Sequence, residues 1–335
     1  MSKFIKNFKQ LTKKNVDIAG GKGASLGEMI NAKIPVPSGF VILANVFDRF
    51  LEETDLTQEI KAQLKKVNYD DVNSVDRASN VIRDLIHDAK MPKDLEKEIS
   101  TEFKKTRCRF VAVRSSATAE DSSVASWAGE LESYLNTTGK MLLENVKKCW
   151  SSLFTPRAIF YRKEKKLLKT NVSVAVVIQK MIESEISGIT FTVHPVTQDK
   201  NQMIIEAGYG LGEAIVSGSI TPDSYVVEKS QIQNYKSQIN LKSKIQNSKQ
   251  LQFEILDINV AEQKKQIVRC LKNSVKWISV PKSKQEKQKL TGKEIIKLSK
   301  ICIQIEKHYK KPQDIEWAFR DGKFYIVQSR PITTL

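Results

Sequence analysis

The residues best suited to chemistry fall in a few places. The first is Gly20-Gly21-Lys22-Gly23, where a lysine sits in a glycine turn. Glycines let the backbone approach a phosphate closely, and a lysine adds a point charge. A P-loop requires GxxxxGK[ST], but the residue after Lys22 is Gly23, so the metal-binding hydroxyl is missing. The dinucleotide fingerprint GxGxxG also fails, because Gly21 to Gly27 contains one residue too many. Spacing alone therefore leaves a phosphate contact and a plain turn both open. The second place, Gly208-x-Gly210-x-Gly212 after a predicted strand, is equally ambiguous. The third is Arg114, at the end of a predicted strand and followed by hydroxyls and then Glu120-Asp121; it reads as an anion ligand or an ordinary surface ion pair.

The C-terminal segment DIEWAF-RDGK-FYIVQSRP is more informative, because a hairpin constrains its own geometry. With a three-residue turn, Asp321-Gly322-Lys323, Arg320 opposes Phe324, Glu316 faces Gln328 and Asp314 faces Arg330. A carboxylate, an amide oxygen and a guanidinium then share one face, a set that suits a hard cation and phosphate oxygens. Trp317, Phe319, Tyr325 and Val327 take the other face and the core. A two-residue turn would pair Glu316 with Val327 and break the set. A hairpin with a merely polar outer face is the other reading.

The elements that must carry these residues follow from periodicity. Ser25 to Ile30 predicts a short helix after an extended, glycine-terminated entry, and Pro35 and Pro37 impose an extended run into Phe40-Val41-Ile42-Leu43. Apolar residues recur every three or four positions from Phe47 to about Lys105, predicting helices. Helices return over residues 140–168. Phe110–Val113, Val172–Val177, Ile189–Val193, Met203–Glu206 and Tyr225–Glu228 read as strands, and Gly292–His308 as an amphipathic helix. Helices gather early and strands late, so the expected class is α+β.

The 335 residues, with 40% hydrophobic and 28% charged, exclude global disorder and suggest about two domains. No apolar run reaches the ~18 residues of a membrane span, and the basic N-terminus has no apolar stretch behind it, so a cytoplasmic location is expected. Cys108, Cys149, Cys270 and Cys302 are too scattered for a disulfide framework or zinc site. The net charge of +17 is regional: residues 229–311 hold 20 basic and 6 acidic side chains, while residues 1–228 hold 32 and 29. That region is Lys-rich with a single arginine, Arg269, and few aromatics, which is unlike a nucleic-acid reader. A solvated, loop-rich surface is expected there, with a polyanion-binding patch as the alternative.

The strings AGGKGASLGEM, PVPSGF, VAVRSSATAEDS, SWAGELESYLN, VVIQKM, SGITFTVHPVT, EAGYGLGEA, IEKHYKKPQDIEWA and IVQSRPITTL occur in order along the chain. Together they resemble the N-terminal nucleotide-binding domain of phosphoenolpyruvate synthase (pyruvate, water dikinase), shared with pyruvate, phosphate dikinase and rifampin phosphotransferase. The resemblance covers essentially the whole chain and is weakest over 229–290. It implies an ATP-grasp fold of two subdomains around an ATP cleft, residues 1–182 and 183–335, with Mg2+ as the accompanying ion. It also implies roles. Lys22 and Arg114 would contact the ATP phosphates, Gly129 would let the backbone approach the triphosphate, and Ser133 (often threonine in the family) would offer a hydroxyl. Gln179, Lys180, Met181 and Ile182 would form the hinge reading the adenine. Glu316 and Gln328 would hold magnesium, and Arg330 would clamp the transferred phosphate. All these groups are expected to converge on one metal-chelated triphosphate.

In the resembled family, the phosphoryl group passes first to a histidine on a separate domain and then to pyruvate, with AMP and phosphate as the other products. The only histidines here, His87, His194 and His308, lie outside the family's Ser-His motif. The full cycle therefore calls for phosphohistidine and pyruvate-binding domains on another chain. The alternatives are half of a rifampin-type small-molecule phosphotransferase, or a non-catalytic nucleotide- or polyanion-binding module. No membrane or nucleic-acid partner is expected.

Overall fold

The computed structural model describes residues 3–118, 132–167, 172–231, 251–270 and 275–333. Gly129 and the Glu120-Asp121 pair lie outside them. The fold is mixed α/β with antiparallel sheets, and it divides into two compact units: residues 1–181 with 269–275, and residues 182–268 with 276–335.

In the N-terminal unit, strands β1 (Ile5–Asn7), β2 (Gly39–Ile42), β3 (Val111–Ala117), β4 (Ser133–Thr137) and β5 (Val174–Lys180) form one sheet in the order β1-β2-β5-β3-β4. β5 is central and buried from Val174 to Gln179, as its near-continuous apolar sequence requires. Helix α1 (Val16–Asn31) packs on one face of the sheet, with Gly23 close to Val41. The other face carries a core in which helices α2 (Ala44–Glu53), α4 (Val72–Asp88), α5 (Lys93–Lys105) and α6 (Leu142–Ser151) bury their apolar stripes; α3 (Leu56–Lys65) and α7 (Pro156–Glu164) complete the layer. Trp150 anchors this core, fully buried, with ring centroids 5.6 Å from Phe47 and 5.0 Å from Phe50.

In the C-terminal unit, β6 (Ile186–Phe191), β7 (Gln202–Tyr209), β8 (Asp223–Gln231), β9 (Leu251–Asn259), β12 (Gln313–Arg320) and β13 (Lys323–Pro331) form a sheet in the order β13-β12-β6-β7-β8-β9. The short helix α8 (Glu213–Val216) lies between β7 and β8 in the chain. Helix α10 (Gly292–Tyr309) packs against this sheet, capped by Thr291, whose hydroxyl accepts from the Glu294 amide while Glu294 reaches back to Thr291 N–H at 2.8 Å. Trp317 is buried, donates to Thr190 Oγ1 at 3.1 Å and lies over Gly188, where a Cβ would come within 2.4 Å of its ring.

Several expectations are revised. The glycines of residues 20–27 do not terminate an extended entry but lie within α1, because the helix packs too closely for side chains there; a Cβ on Gly27 would sit 2.7 Å from the Leu11 carbonyl oxygen. β3 continues through Arg114 to Ala117, so Arg114 is mid-strand. The described part of the Lys-rich region is not simply loop: it contains β9, a ribbon of β10 (Lys265–Arg269) and β11 (Val275–Ser279), and the short α9 (Lys282–Gln285). Its anchor is a fully buried ion pair, Lys289 Nζ to Asp223 Oδ1 at 2.7 Å, joined by the Tyr225 hydroxyl and the Ala261 amide. Composition conceals this because one lysine among many carries the burial. Among the described residues, no helix is long and apolar enough to cross a membrane, and all four cysteines are free.

Candidate functional site

Two groups of side chains emerge, one in each unit. The first is built around an interruption in α1. Gly20 adopts φ 66° and ψ 171°, breaking the helix, which resumes at Gly21. Only glycine fits: positive φ disfavours other residues, and a Cβ would lie 2.4 Å from the Ser116 carbonyl oxygen. The Ser116 hydroxyl accepts from Lys22 N–H at 3.1 Å and Gly23 N–H at 3.3 Å, satisfying donors that a helix start leaves free. β3 thus grips the helix at the turn that carries Lys22.

Register places Arg114, Ser133 and Gln179 on the face of the sheet that α1 covers. Val41, Val177, Arg114 and Ser133 are successive cross-strand partners, and Val41 is the residue that packs on α1. Gln179 and Ser116, two residues from Val177 and Arg114 respectively, share that face. Arg114 Nη1 donates to Gln179 Oε1 at 3.4 Å. Gln179 is 2% exposed, and its Nε2 finds no hydrogen-bond partner among the described residues. A buried orphan donor is costly, about 1–3 kcal/mol, and invites an acceptor from a ligand. On the opposite face, burial pushes the Cys149 thiol up to about 12, although a hydrogen bond with Ser115 and, least of all, the Lys22 charge work against this. Lys180 and Met181 donate their amides to Ser38 and Phe110, so those two N–H groups are not the ones a base edge would use. The chain passes between the units at Met181 and Ile182.

The second group is the β12–β13 hairpin, and it corrects the expected turn. Arg320 pairs with Lys323, so the turn has two residues, Asp321 at φ 49° and Gly322 at φ 70°, the positive pair of a type I′ turn. Phe324 and Ile326 are accordingly buried, whereas Tyr325 and Val327, assigned to the core from sequence, are only half-buried. Yet Glu316 still pairs with Gln328 and Asp314 with Arg330, because a bulge beside Glu316 leaves Val327 as an extra residue. Arg330 contacts Asp314 Oδ2 through Nη2 at 2.7 Å and Nε at 2.8 Å.

Sequence reasoning assigned no role to Ser116 or Glu206. Glu206 lies in the same row as the hairpin pair, since Ile189 pairs with both Glu316 and Glu206. Burial, and secondarily the Asp314 charge, raise its carboxyl above the usual range. Its place in EAGYGLGEA suggested nothing about this; only strand register brings it beside the hairpin. Among the described residues, no cluster of three or more His, Cys, Asp or Glu side chains could hold a metal by itself.

Residues 16–335 match the family of the pyruvate phosphate dikinase AMP/ATP-binding domain. The chain belongs to this family. This AMP/ATP-binding domain is 44% identical over 99% of its length to a probable phosphoenolpyruvate synthase of Methanocaldococcus jannaschii, of which it covers 27%. It is 45% identical over 96% of its length to one from Archaeoglobus fulgidus, covering 41% of that protein. Rifampicin phosphotransferase of Bacillus subtilis is 35% identical over the whole chain, which covers 36% of it. The domain thus spans between about a quarter and two fifths of these relatives.

Proposed function

We propose that this AMP/ATP-binding domain is the ATP-activating module of a phosphoenolpyruvate synthase-type phosphotransferase, with an ATP-grasp fold. In this reading the chain binds one Mg-ATP. Lys22 and Arg114 neutralise phosphate oxygens, helped by the helix start at Gly21. Gly129 and Ser133 complete the phosphate contacts, Gln179 donates its free N–H to the nucleotide, and Lys180, Met181 and Ile182 line the base. Arg330 stabilises charge on the phosphoryl group in transit. The observation that carries the reading is the gathering of Lys22's turn, Arg114, Ser133 and Gln179 on one face, with an unpartnered buried donor among them.

Magnesium fits the hairpin: Glu316 and Gln328 oppose each other, offering hard oxygen donors and leaving further positions for phosphate oxygens. Bound there, the ion would neutralise charge on the phosphates. The acceptor in this reading is a histidine on another domain or chain, and the overall reaction converts pyruvate, ATP and water to phosphoenolpyruvate, AMP and phosphate. Similarity to rifampicin phosphotransferase over the whole of this chain, though only 36% of that protein, supports a second reading, transfer to a small molecule; the higher identity to the synthases favours the first. Calorimetric titration with Mg-ATP tests binding, and labelled phosphate transferred from ATP to a histidine domain of either relative distinguishes the two acceptors.

A further inference from the structure

Glu132, one residue before Ser133, is held from three directions. Its carboxylate accepts from Arg83 Nη2, at 3.0 Å to Oε1 and 3.3 Å to Oε2, and from the Tyr134 hydroxyl. Its backbone carbonyl accepts from Ser115 N–H at 3.2 Å and Ser115 Oγ at 2.7 Å. Arg83 comes from α4 in the helical layer, and the ion pair is partly exposed, with side-chain exposures of 25% and 32%. Burial and the neighbouring Glu132 charge raise the Tyr134 phenol far above its usual range, so it remains a donor. Ser133 itself is exposed and paired in register with Arg114. A rigid post thus stands immediately behind one of the side chains assigned to the phosphates.

We propose that Arg83 is a positioning residue for the nucleotide, fixing Ser133 beside Arg114 by clamping Glu132. This rests on the Mg-ATP reading above. A charge-assisted bond to both carboxylate oxygens restricts the orientation of Glu132 more than a neutral contact would. Displacement of a ligand group by about 1 Å can matter as much as its loss. A partly exposed ion pair adds little to global stability, so losing Arg83 weakens nucleotide binding more than folding. Arg83 lies in no sequence block shared with the resembled family, and only the fold brings it to Glu132.

The test is a double-mutant cycle on the full chain, measuring the Mg-ATP dissociation constant and the unfolding temperature of wild type, Arg83→Met, Ser133→Ala and the double variant. Arg83→Met is expected to weaken binding about tenfold with little change in unfolding temperature. Ser133→Ala is expected to add almost nothing on that background, because the hydroxyl is already misplaced. Arg83→Lys, which keeps the charge but not the planar guanidinium, should fall between, and decides the matter if Arg83→Met does not fold. Unchanged affinity in Arg83→Met or Arg83→Lys, or full additivity with Ser133→Ala, overturns the proposal. Failure of the wild type to bind Mg-ATP instead overturns the functional reading on which it rests.

Discussion

Glu316 stands opposite Gln328 across a hairpin whose two-residue turn would, in an unbroken ladder, set Val327 there instead. The bulge at Val327 restores the pairing and keeps Ile326 and Ser329 inward. Deleting Val327 removes the extra residue without reversing any other side chain, so fold and Mg-ATP binding are expected to survive within about tenfold. Deleting Ser329 puts either Arg330 or, if the bulge closes, Gln328 into its buried position, and is expected to destabilise the C-terminal unit more than deleting Val327 does, because a one-residue slip turns polar side chains inward. Circular dichroism melts of the two deletions check this; equal damage from both would refute the register argument.

The Ser116 cap and the Gly20 kink position Lys22 together. Ser116→Ala leaves the Lys22 and Gly23 amides without their acceptor and is expected to lower stability by about 1 kcal/mol. Gly20→Ala adds positive-φ strain and a collision with the Ser116 carbonyl, and should lower it by more, about 2–3 kcal/mol. Urea titration gives both values, and a milder effect for Gly20→Ala would contradict this view of the turn.

The buried Lys289–Asp223 pair predicts a large asymmetry. Lys289→Met leaves the Asp223 charge without its partner in a site with no exposed surface, and the expected loss is about 3–5 kcal/mol. Lys289→Met combined with Asp223→Asn should recover much of that loss. A measured loss below about 1 kcal/mol for Lys289→Met would show that the pair does not anchor this region.

His87 gives the stability a direction with pH. Its Nε2 lies 2.8 Å from Ser151 Oγ, and burial, with Arg83 and Lys148 nearby, lowers its pKa while Asp84 opposes the shift. Below the unfolded value of about 6.5 the unfolded chain takes up a proton that the folded chain resists, so this contribution is present above that pH and is lost as pH falls. Replacing His87 with Gln should flatten the drop in unfolding temperature between about pH 7 and about pH 5. An unchanged slope would mean that His87 titrates normally.

Periodicity exposed the helical layer from Phe47 to Lys105 and the strand cores, because amphipathic spacing survives any tertiary context. It failed where packing overrides local preference. The glycines of α1 look like a turn until Leu11 and Ser116 are seen pressing on them, and β3 extends through Arg114 because β4 and β5 pair with it on both sides. The hairpin shows the limit most sharply: its facing pairs were deduced from the wrong turn, since a bulge leaves no simple signature in one sequence. Ser116 and Glu206 stayed hidden because their importance lies in cross-strand register.

The central claim is that the chain binds one Mg-ATP and that Lys22 and Gln328 each contribute to its affinity. The decisive measurement is calorimetric titration of Mg-ATP into the wild-type chain, Lys22→Ala and Gln328→Leu, with folding of each verified. The expected result is binding by the wild type at one nucleotide per chain and a loss of at least about tenfold in each variant. No binding by the wild type, or wild-type affinity in either variant, would contradict the account.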